Sequence, residues 1–194
     1  MKNYYYIRST SCKGYAVLYP QKKYEGFNKA DGTEMDLSTF KDTIFHFART
    51  AKYVEFLPIL DCVGLDSLII SSEFKDIITP LCSDYPHIEF IPVFVSKDNI
   101  EKKQYYIMHF TKFEEVIDFD NSVIMPYVPM GDFLVMAPSL YYDKIESLNI
   151  FCINALSNQI ISQDVYRALR RVFKKGIKYD KIHFNPSLIQ SEHE

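Results

Sequence analysis

Two distant stretches of the chain resemble each other, and this similarity constrains the fold more than any other feature of the sequence. Residues 68–74 read LIISSEF, and residues 159–165 read QIISQDV. In each, an apolar strand end is followed by a serine, Ser71 or Ser162, whose side chain can cap a helix by accepting a hydrogen bond from a free backbone N–H group. An acidic residue then lies at the positive end of the helix dipole. Each stretch therefore predicts a strand that passes directly into a helix.

The two predicted helices also share an apolar stripe and a following strand. Apolar residues recur at the i, i+3, i+4, i+7, i+8 spacing that buries one face of a helix. They are Phe74, Ile77, Ile78, Leu81 and Cys82 in the first helix, and Val165, Ala168, Leu169, Val172 and Phe173 in the second. Strands are expected next at residues 87–90 and 181–184, with three more residues in the second turn. Cap, stripe and strand together predict an internal repeat at residues 68–93 and 159–187.

The repeat predicts an α+β fold in which two related strand-helix-strand units, packed by amphipathic helices, contribute to one or more mixed sheets. A chain of 194 residues suits a single domain that spans residues 1–194. The 47% hydrophobic and 24% charged content is that of a globular protein. Only residues 190–194 are expected to form a frayed tail.

Outside the repeat, the apolar pattern predicts further elements. Residues 4–8 and 15–19 are expected to form a hairpin across a polar turn. Residues 37–48 have helical spacing after a cap at Asp36 or Ser38, so His46 is expected to belong to a helix. Further strands are expected at residues 104–110, 123–125, 133–136 and 148–156.

Cysteine usage, hydropathy and charge indicate the cellular compartment of the protein and exclude some classes of partner. The four cysteines are far apart and form neither a C-x-x-C pair nor a Cys/His pair at metal-binding spacing, and Cys82 and Cys152 lie in apolar patterns typical of a core. No apolar run is long enough to cross a bilayer, and the amino terminus lacks the apolar region of a signal peptide. A net charge of -3 is too small for a general nucleic-acid binder. We therefore expect a cytoplasmic protein that binds neither nucleic acid nor membrane.

Four carboxylates fall within seven residues in the middle of the chain: Glu114, Glu115, Asp118 and Asp120. Such a group, together with His109, can hold a hard cation or exchange protons in acid/base catalysis. On a strand, Asp118 and Asp120 would point to the same face. The plainer alternative is a solvated acidic surface. The segment is a candidate for partner binding and, alternatively, for hydrolytic chemistry.

Positive charge gathers in the second predicted helix and in the turn after it. Arg167, Arg171 and Lys174 fall at helical spacing on the side away from the apolar stripe. A solvated face is one interpretation, because the dipole favours cations near a helix C-terminus. The other is a basic ridge that faces an acidic partner. These three residues are further candidates for partner binding.

The sequence lacks the motifs of common enzyme classes. It contains no G-x-S-x-G nucleophile elbow and no local signature of a catalytic cysteine. Its six glycines form neither of the phosphate-binding motifs G-x-G-x-x-G and G-x-x-x-x-G-K. We therefore predict no catalytic residue, no metal and no cofactor.

Several segments resemble a known protein family. They are residues 143–151 (DKIESLNIF), 161–165 (ISQDV) and 176–184 (GIKYDKIHF), with the earlier runs 56–58 (FLP), 70–75 (ISSEFK) and 88–93 (IEFIPV). Across these segments the chain resembles the α+β immunity proteins of bacterial polymorphic toxin systems, a group that includes a Myxococcus-type immunity domain. The first unit departs from the second in having Tyr85-Pro86 where the second has a glycine turn.

The resemblance implies a cytoplasmic protein without catalytic residues that binds a cognate toxin and blocks its active site or its access to substrate. Two other classes of function stay open on the sequence. One is a metal-assisted or acid/base hydrolytic enzyme that uses residues 114–120. The other is a regulatory module that binds a small ligand in a deep, aromatic-lined cavity.

Overall fold

The computed structural model describes residues 2–10, 18–20, 43–47, 54–62, 65, 67–83, 85–97, 100–127, 132–153 and 158–182. In this part of the chain the helices are α1 (Ser72–Ile78), which continues into a 3-10 turn (Thr79–Leu81), α2 (Tyr142–Ile145) and α3 (Gln163–Val172). No helix within these ranges is long and apolar enough to cross a membrane. The strands are β1 (Tyr4–Ser9), β2 (Leu18–Pro20), β3 (Ile44–Phe47), β4 (Ile59–Leu60), β5 (Leu68–Ser71), β6 (Ile88–Lys97), β7 (Glu101–Phe110), β8 (Ile117–Tyr127), β9 (Asp132–Leu140), β10 (Ile150–Ile153), β11 (Asn158–Ser162) and β12 (Ile177–Lys181).

The described strands form three sheets. One has the order β2-β3-β6-β7-β5-β4, the second has the order β10-β11-β1-β12, and β8 and β9 form a separate hairpin. Strands β3 and β6 run parallel, while the other strand pairs are antiparallel. The predicted α+β fold with a mixed sheet is confirmed.

In each predicted strand-helix-strand segment the two strands do not pair with each other, because another strand of the chain lies between them and pairs with both. Strands β5 and β6 flank β7, and strands β11 and β12 flank β1, with antiparallel pairing throughout. Ser71 stands opposite Tyr105, and Ser162 stands opposite Tyr4. The enclosed strands differ in origin, since β7 follows β6 directly whereas β1 is N-terminal. The two segments therefore share an arrangement, while their origin as an internal repeat stays a prediction.

The strand of the second segment lies earlier than expected. It begins at Ile177, directly after Gly176, and not at residue 181; residues 183–187 lie outside the described part of the chain. Tyr5 of β1 and Tyr106 of β7 hold equivalent positions, since each directly follows the residue that stands opposite the serine. Lys181 stands opposite Tyr5 and Pro92 stands opposite Tyr106, so Lys181 and Pro92 are equivalent as well. Pro92 comes 21 residues after its serine and Lys181 only 19, so the second connection is shorter, and the predicted three-residue insertion is wrong. The positive φ of 89° at Gly176 allows the sharper turn.

Two further predictions are wrong, because the segments concerned pair with strands that are distant in the chain. The segment 44–47 is the strand β3, in which His46 pairs with Tyr19 and Ser96, and not the end of a helix. Its β-branched and aromatic residues suit a sheet, and Phe45 is completely buried there. Strands β1 and β2 do not form a hairpin, since they belong to different sheets. Residues 37–42 and 15–17 lie outside the described part of the chain.

The serines that precede α1 and α3 are bonded differently. Ser71 Oγ accepts a hydrogen bond from the backbone N of Phe74 at 3.2 Å, which is the predicted cap. Ser162 makes no side-chain cap. Its Oγ instead donates to Asn149 Oδ1 at 2.9 Å, and its backbone N donates to the Asn149 carbonyl at 2.8 Å. The second serine therefore ties its helix to the segment before β10.

The helices α1 and α3 pack against each other in a core that both segments share. Phe74, Val165 and Leu169 are completely buried in it, together with residues of β1 and β5. The ring of Phe74 stacks on that of Phe173, with their centres 6.2 Å apart. This contact joins the two segments into one packed body.

Burial protects the described cysteine thiols. Cys62, Cys82 and Cys152 are buried, and burial raises the pKa of Cys62 and of Cys152 to about 12. The thiolate is the reactive form, so a raised pKa and burial both slow alkylation. In a Cys12→Ser variant at pH 8, we expect maleimide to label the folded protein at least about tenfold more slowly than the urea-unfolded protein, which should take up three labels. Rapid labelling of the folded variant would contradict the burial of these thiols.

Candidate partner-binding surfaces

The solvent-facing side of α3 carries the predicted basic residues. Val165 and Leu169 anchor the other side of this helix in the core, which leaves Arg167 and Arg171 exposed. Arg167 Nη1 lies 3.7 Å from Asp164 Oδ1, one helical turn earlier. The predicted helical spacing therefore places these two cations on one exposed face.

Lys174 does not continue this helical face. The helix ends at Val172, and Phe173 is already extended, with φ -96° and ψ 115°. Lys174 Nζ instead turns back and donates to the Arg170 carbonyl at 3.1 Å. A cation here satisfies one of the free carbonyls at the negative end of the helix. The three predicted residues are all exposed, and we call them together the basic surface. Arg167 and Arg171 lie on α3, whereas Lys174 lies in the loop after it.

An open groove of about 810 Å³ borders the basic surface. Four separate segments line it, namely residues 55–58, 71–73, 103–105 and 172–175. Leu57 and Tyr105 are buried at its base, where the Tyr105 hydroxyl donates to the Leu57 carbonyl at 2.9 Å. Its lining is therefore partly aromatic, as a ligand module would require, but the groove is open and not a deep cavity. The sequence did not reveal it, because its segments are far apart along the chain.

Charged side chains border the groove on both sides. Lys175 Nζ lies 2.7 Å from Glu55 Oε2, which ties the loop after α3 to the segment before β4. Lys103 Nζ lies 4.4 Å from the centre of the Phe56 ring, a cation-π contact across the groove wall. The lining combines apolar and charged groups, which suits contact with a protein segment.

The acidic segment begins with a carboxylate that is held in place. The Tyr85 hydroxyl donates to Glu114 Oε1 at 2.9 Å, and Lys112 Nζ lies 3.0 Å from the same oxygen. Burial makes the largest contribution to the raised pKa of Tyr85, and the hydrogen bond to Glu114 makes the next largest. Glu115 is exposed, and its carbonyl accepts from Lys144 Nζ at 3.4 Å. Glu114 therefore fixes the start of the segment, while the carboxylate of Glu115 faces solvent.

Asp118 lies inside the protein at an irregularity of β8. Only 4% of it is exposed, and its carboxylate accepts from Asn121 N at 3.2 Å and Asn121 Nδ2 at 2.8 Å. The Ser122 hydroxyl donates to the Asp118 carbonyl at 2.5 Å and accepts from Ser139 N at 2.9 Å. The register shifts between Asp118 and Val123. Asp118 thus holds together a bulge in the strand.

The bulge separates the two aspartates that were expected to share one face of a strand. Asp118 is buried and Asp120 is exposed, so that prediction is wrong. The pKa of the exposed Tyr141 hydroxyl is raised, first by the carboxylate of Asp118, then by desolvation, and then by Asp120 and Asp143. Lys144 Nζ lies 4.7 Å from the centre of the same ring. The carboxylates of Glu115, Asp120 and Asp143 are exposed at the base of the β8–β9 hairpin, and we call this base the acidic surface.

The carboxylates of this segment do not converge on a common site. Glu114 is bonded to Tyr85, Asp118 is bonded to Asn121, and neither lines the groove. His109 lies buried on β7, opposite Glu89. In the described part of the chain, no group of three or more His, Cys, Asp or Glu side chains is arranged to hold a metal ion. The geometry of residues 114–120 thus gives no support to hydrolytic chemistry.

Comparison with known proteins adds one match. Residues 11–184 match the sequence model of a family described as the Immunity protein family (Imm11). No curated protein matches the chain.

Proposed function

Because the chain belongs to the Imm11 family of immunity proteins, we propose that it binds a cognate toxin of a bacterial polymorphic toxin system in the cytoplasm and neutralises it. The family match is the observation that carries this proposal, and it confirms the resemblance seen in the sequence. In the mechanism that we propose, the bound protein covers the active site of the toxin or its access to substrate.

Seven charged residues are the proposed contact region. Five of them are exposed and available for direct contact: Arg167, Arg171, Lys174, Glu115 and Asp120. Glu114 and Asp118 are held by neighbouring side chains, so we assign them the role of shaping the acidic surface. Exposed charges at an interface mainly set the rate of association and the choice of partner.

The proposal is tested with the toxin encoded beside this gene. We expect coexpression of this chain to restore growth of cells that express the toxin, and the two proteins to copurify as a stable complex. A catalytically inactive toxin should copurify equally well, because binding does not require toxin activity. If neither rescue nor copurification occurs with any toxin encoded next to the gene, the proposal is wrong.

The basic surface gives a prediction of its own. Arg171→Glu is expected to weaken toxin binding by about tenfold at low salt. The effect should be smaller at high salt, because salt screens the interaction of an exposed charge with the toxin. Lys102→Glu makes the same change of charge at an exposed position on β7 and serves as the matched control. Titration calorimetry at two salt concentrations measures both. Equal affinities for the two variants would remove Arg171 from the contact region.

A further inference from the structure

Every residue that lines the groove beside the basic surface belongs to the described part of the chain. The walls of the groove are bonded to one another. The backbone N of Ser71 donates to the Pro58 carbonyl at 2.9 Å, and the Ser72 hydroxyl donates to the Gln104 carbonyl at 3.2 Å. A site whose walls are already fixed loses less conformational entropy on binding than a mobile one. The groove can therefore receive a partner without rearrangement of its walls.

Apolar side chains lie open to solvent in this groove. Val172, the last residue of α3, is 45% exposed, although Val165 and Leu169, earlier on the same apolar stripe, are completely buried. Phe56 and Phe173 line the groove as partly buried rings. Exposed apolar surface in a concave site with a polar rim is typical of a binding site. The helix thus presents its last apolar residue to the groove and not to the core.

The size and shape of the groove suit a segment of a protein chain. Its volume of about 810 Å³ is large enough for a ligand of several rings. Small-molecule sites, however, enclose most of the surface of their ligand, and this groove is open to solvent. A protein segment can lie along an open groove and place one apolar side chain at its base. A segment of a partner protein is therefore the occupant that the shape favours.

The end of α3 gives the groove a basic border. Residues 170–175 read RRVFKK, so four cations flank the two apolar residues of the lining, and this run contains no carboxylate. The lining as a whole contains three lysines and two glutamates, and one of these, Glu55, is already bonded to Lys175. Since the whole chain has a net charge of -3, this positive border is a local property. A segment with Asp or Glu beside a large apolar residue is complementary to it.

We propose that this groove receives a segment of the toxin in which a large apolar side chain is flanked by Asp or Glu. The proposal rests on the proposed function and names the surface that performs it, together with the chemistry of the toxin segment. The apolar side chain packs on Val172 and Phe56, and the carboxylates face Arg171 and Lys174. The ion pair of Lys175 with Glu55 holds the wall between them in position.

A substitution at Val172 tests the proposal. We expect Val172→Asp to bind purified, catalytically inactive toxin at least about 30-fold more weakly than wild type in titration calorimetry, because it removes the apolar contact and repels an acidic segment. Ile100→Asp makes a similar change at a β-branched residue that is 89% exposed between β6 and β7, and it should bind as wild type does. Both variants should keep a Tm within about 5 °C of that of wild type. Equal affinities of the two variants would overturn the proposal.

A lysine variant keeps the test decisive if Val172→Asp does not fold. Lys174→Glu changes an exposed side chain in the loop after α3, and we expect it to weaken toxin binding by about tenfold at low salt. Lys102→Glu, at its exposed position on β7, is again the matched control and should bind as wild type does. Equal binding by these two variants would also count against the groove and overturn the proposal.

Chemical coupling tests the composition of the toxin segment. A carbodiimide joins a lysine amine directly to a carboxylate through a new amide bond and takes up the water that is lost. In the complex of the wild-type chain with inactive toxin, we expect Lys174 or Lys103 to become joined to an Asp or Glu of the toxin. Mass spectrometry of the joined peptides should place a large apolar residue close to that carboxylate. If neither lysine is joined to the toxin, the proposal is overturned.

The outcomes separate the groove from the function. If the wild-type chain neither binds nor rescues, the proposed function is wrong and the groove proposal falls with it. If the wild type and Val172→Asp bind the toxin equally well, only the groove proposal is wrong. A Val172→Asp variant that binds toxin normally but changes from dimer to monomer in light scattering would assign the groove to a second copy of this chain and overturn the proposal.

Discussion

Phe74→Ala is expected to lower the free energy of unfolding by about 3–5 kcal/mol, the usual cost of removing a buried phenylalanine ring. Phe74 lies in the first turn of α1, is completely buried, and stacks on Phe173 after the end of α3. Its removal leaves a cavity between the two helices, in the core that both strand-helix-strand segments share. Urea unfolding followed by circular dichroism measures the change as a lower midpoint at an unchanged slope.

Phe94→Ala is the matched control, because it removes the same side chain from a position on β6 that is 43% exposed. We expect it to cost less than about 1 kcal/mol, since much of the ring already contacts water. Similar costs for the two substitutions would show that the contact between α1 and α3 contributes little to stability.

Features encoded by neighbouring residues were predictable from the sequence. Helix α1 begins at Ser72 and helix α3 at Gln163, directly after the two serines identified in the sequence. A strand end, a small polar residue and an apolar stripe act over one or two turns of chain, so their effect does not depend on the rest of the fold.

Features that depend on distant partners were not predictable. β1 lies between β11 and β12, and the residues with which it pairs are more than 150 positions away in the chain. Ser162 has the sequence of a helix cap, yet its hydroxyl bonds to Asn149, a partner that only the folded chain brings close. The segment 44–47 matched a helical pattern but pairs with β2 and β6, because tertiary pairing overrides a weak local preference.

The candidate surfaces were likewise predictable only in part from the sequence. Exposure of Arg167, Arg171 and Asp120 agrees with the charge patterns. The burial of Asp118 depends on a bulge whose bonds reach across to Ser139, which the alternation rule for a regular strand cannot anticipate.

Gly176→Ala is expected to destabilise the protein by about 3 kcal/mol, from the sum of backbone strain and a steric clash. Gly176 has φ +89°, a conformation that alanine rarely adopts. A Cβ atom at this position would lie 2.4 Å from Pro58 Cδ, well inside van der Waals contact. The turn between α3 and β12 must then shift, or Pro58 must move away from the end of the groove. Urea unfolding of the variant and the wild type measures the loss.

A second substitution separates the two causes. Pro58→Ala removes the Cδ atom that the new Cβ would meet at 2.4 Å and leaves the longer approach of 3.3 Å to Leu57 Cβ. In this background Gly176→Ala should therefore cost mainly the strain of the left-handed backbone, about 1–2 kcal/mol. The difference between the two costs is the coupling between positions 58 and 176, which a double-mutant cycle isolates. If Gly176→Ala costs the same in both backgrounds, the contact with Pro58 is not what requires glycine at this turn.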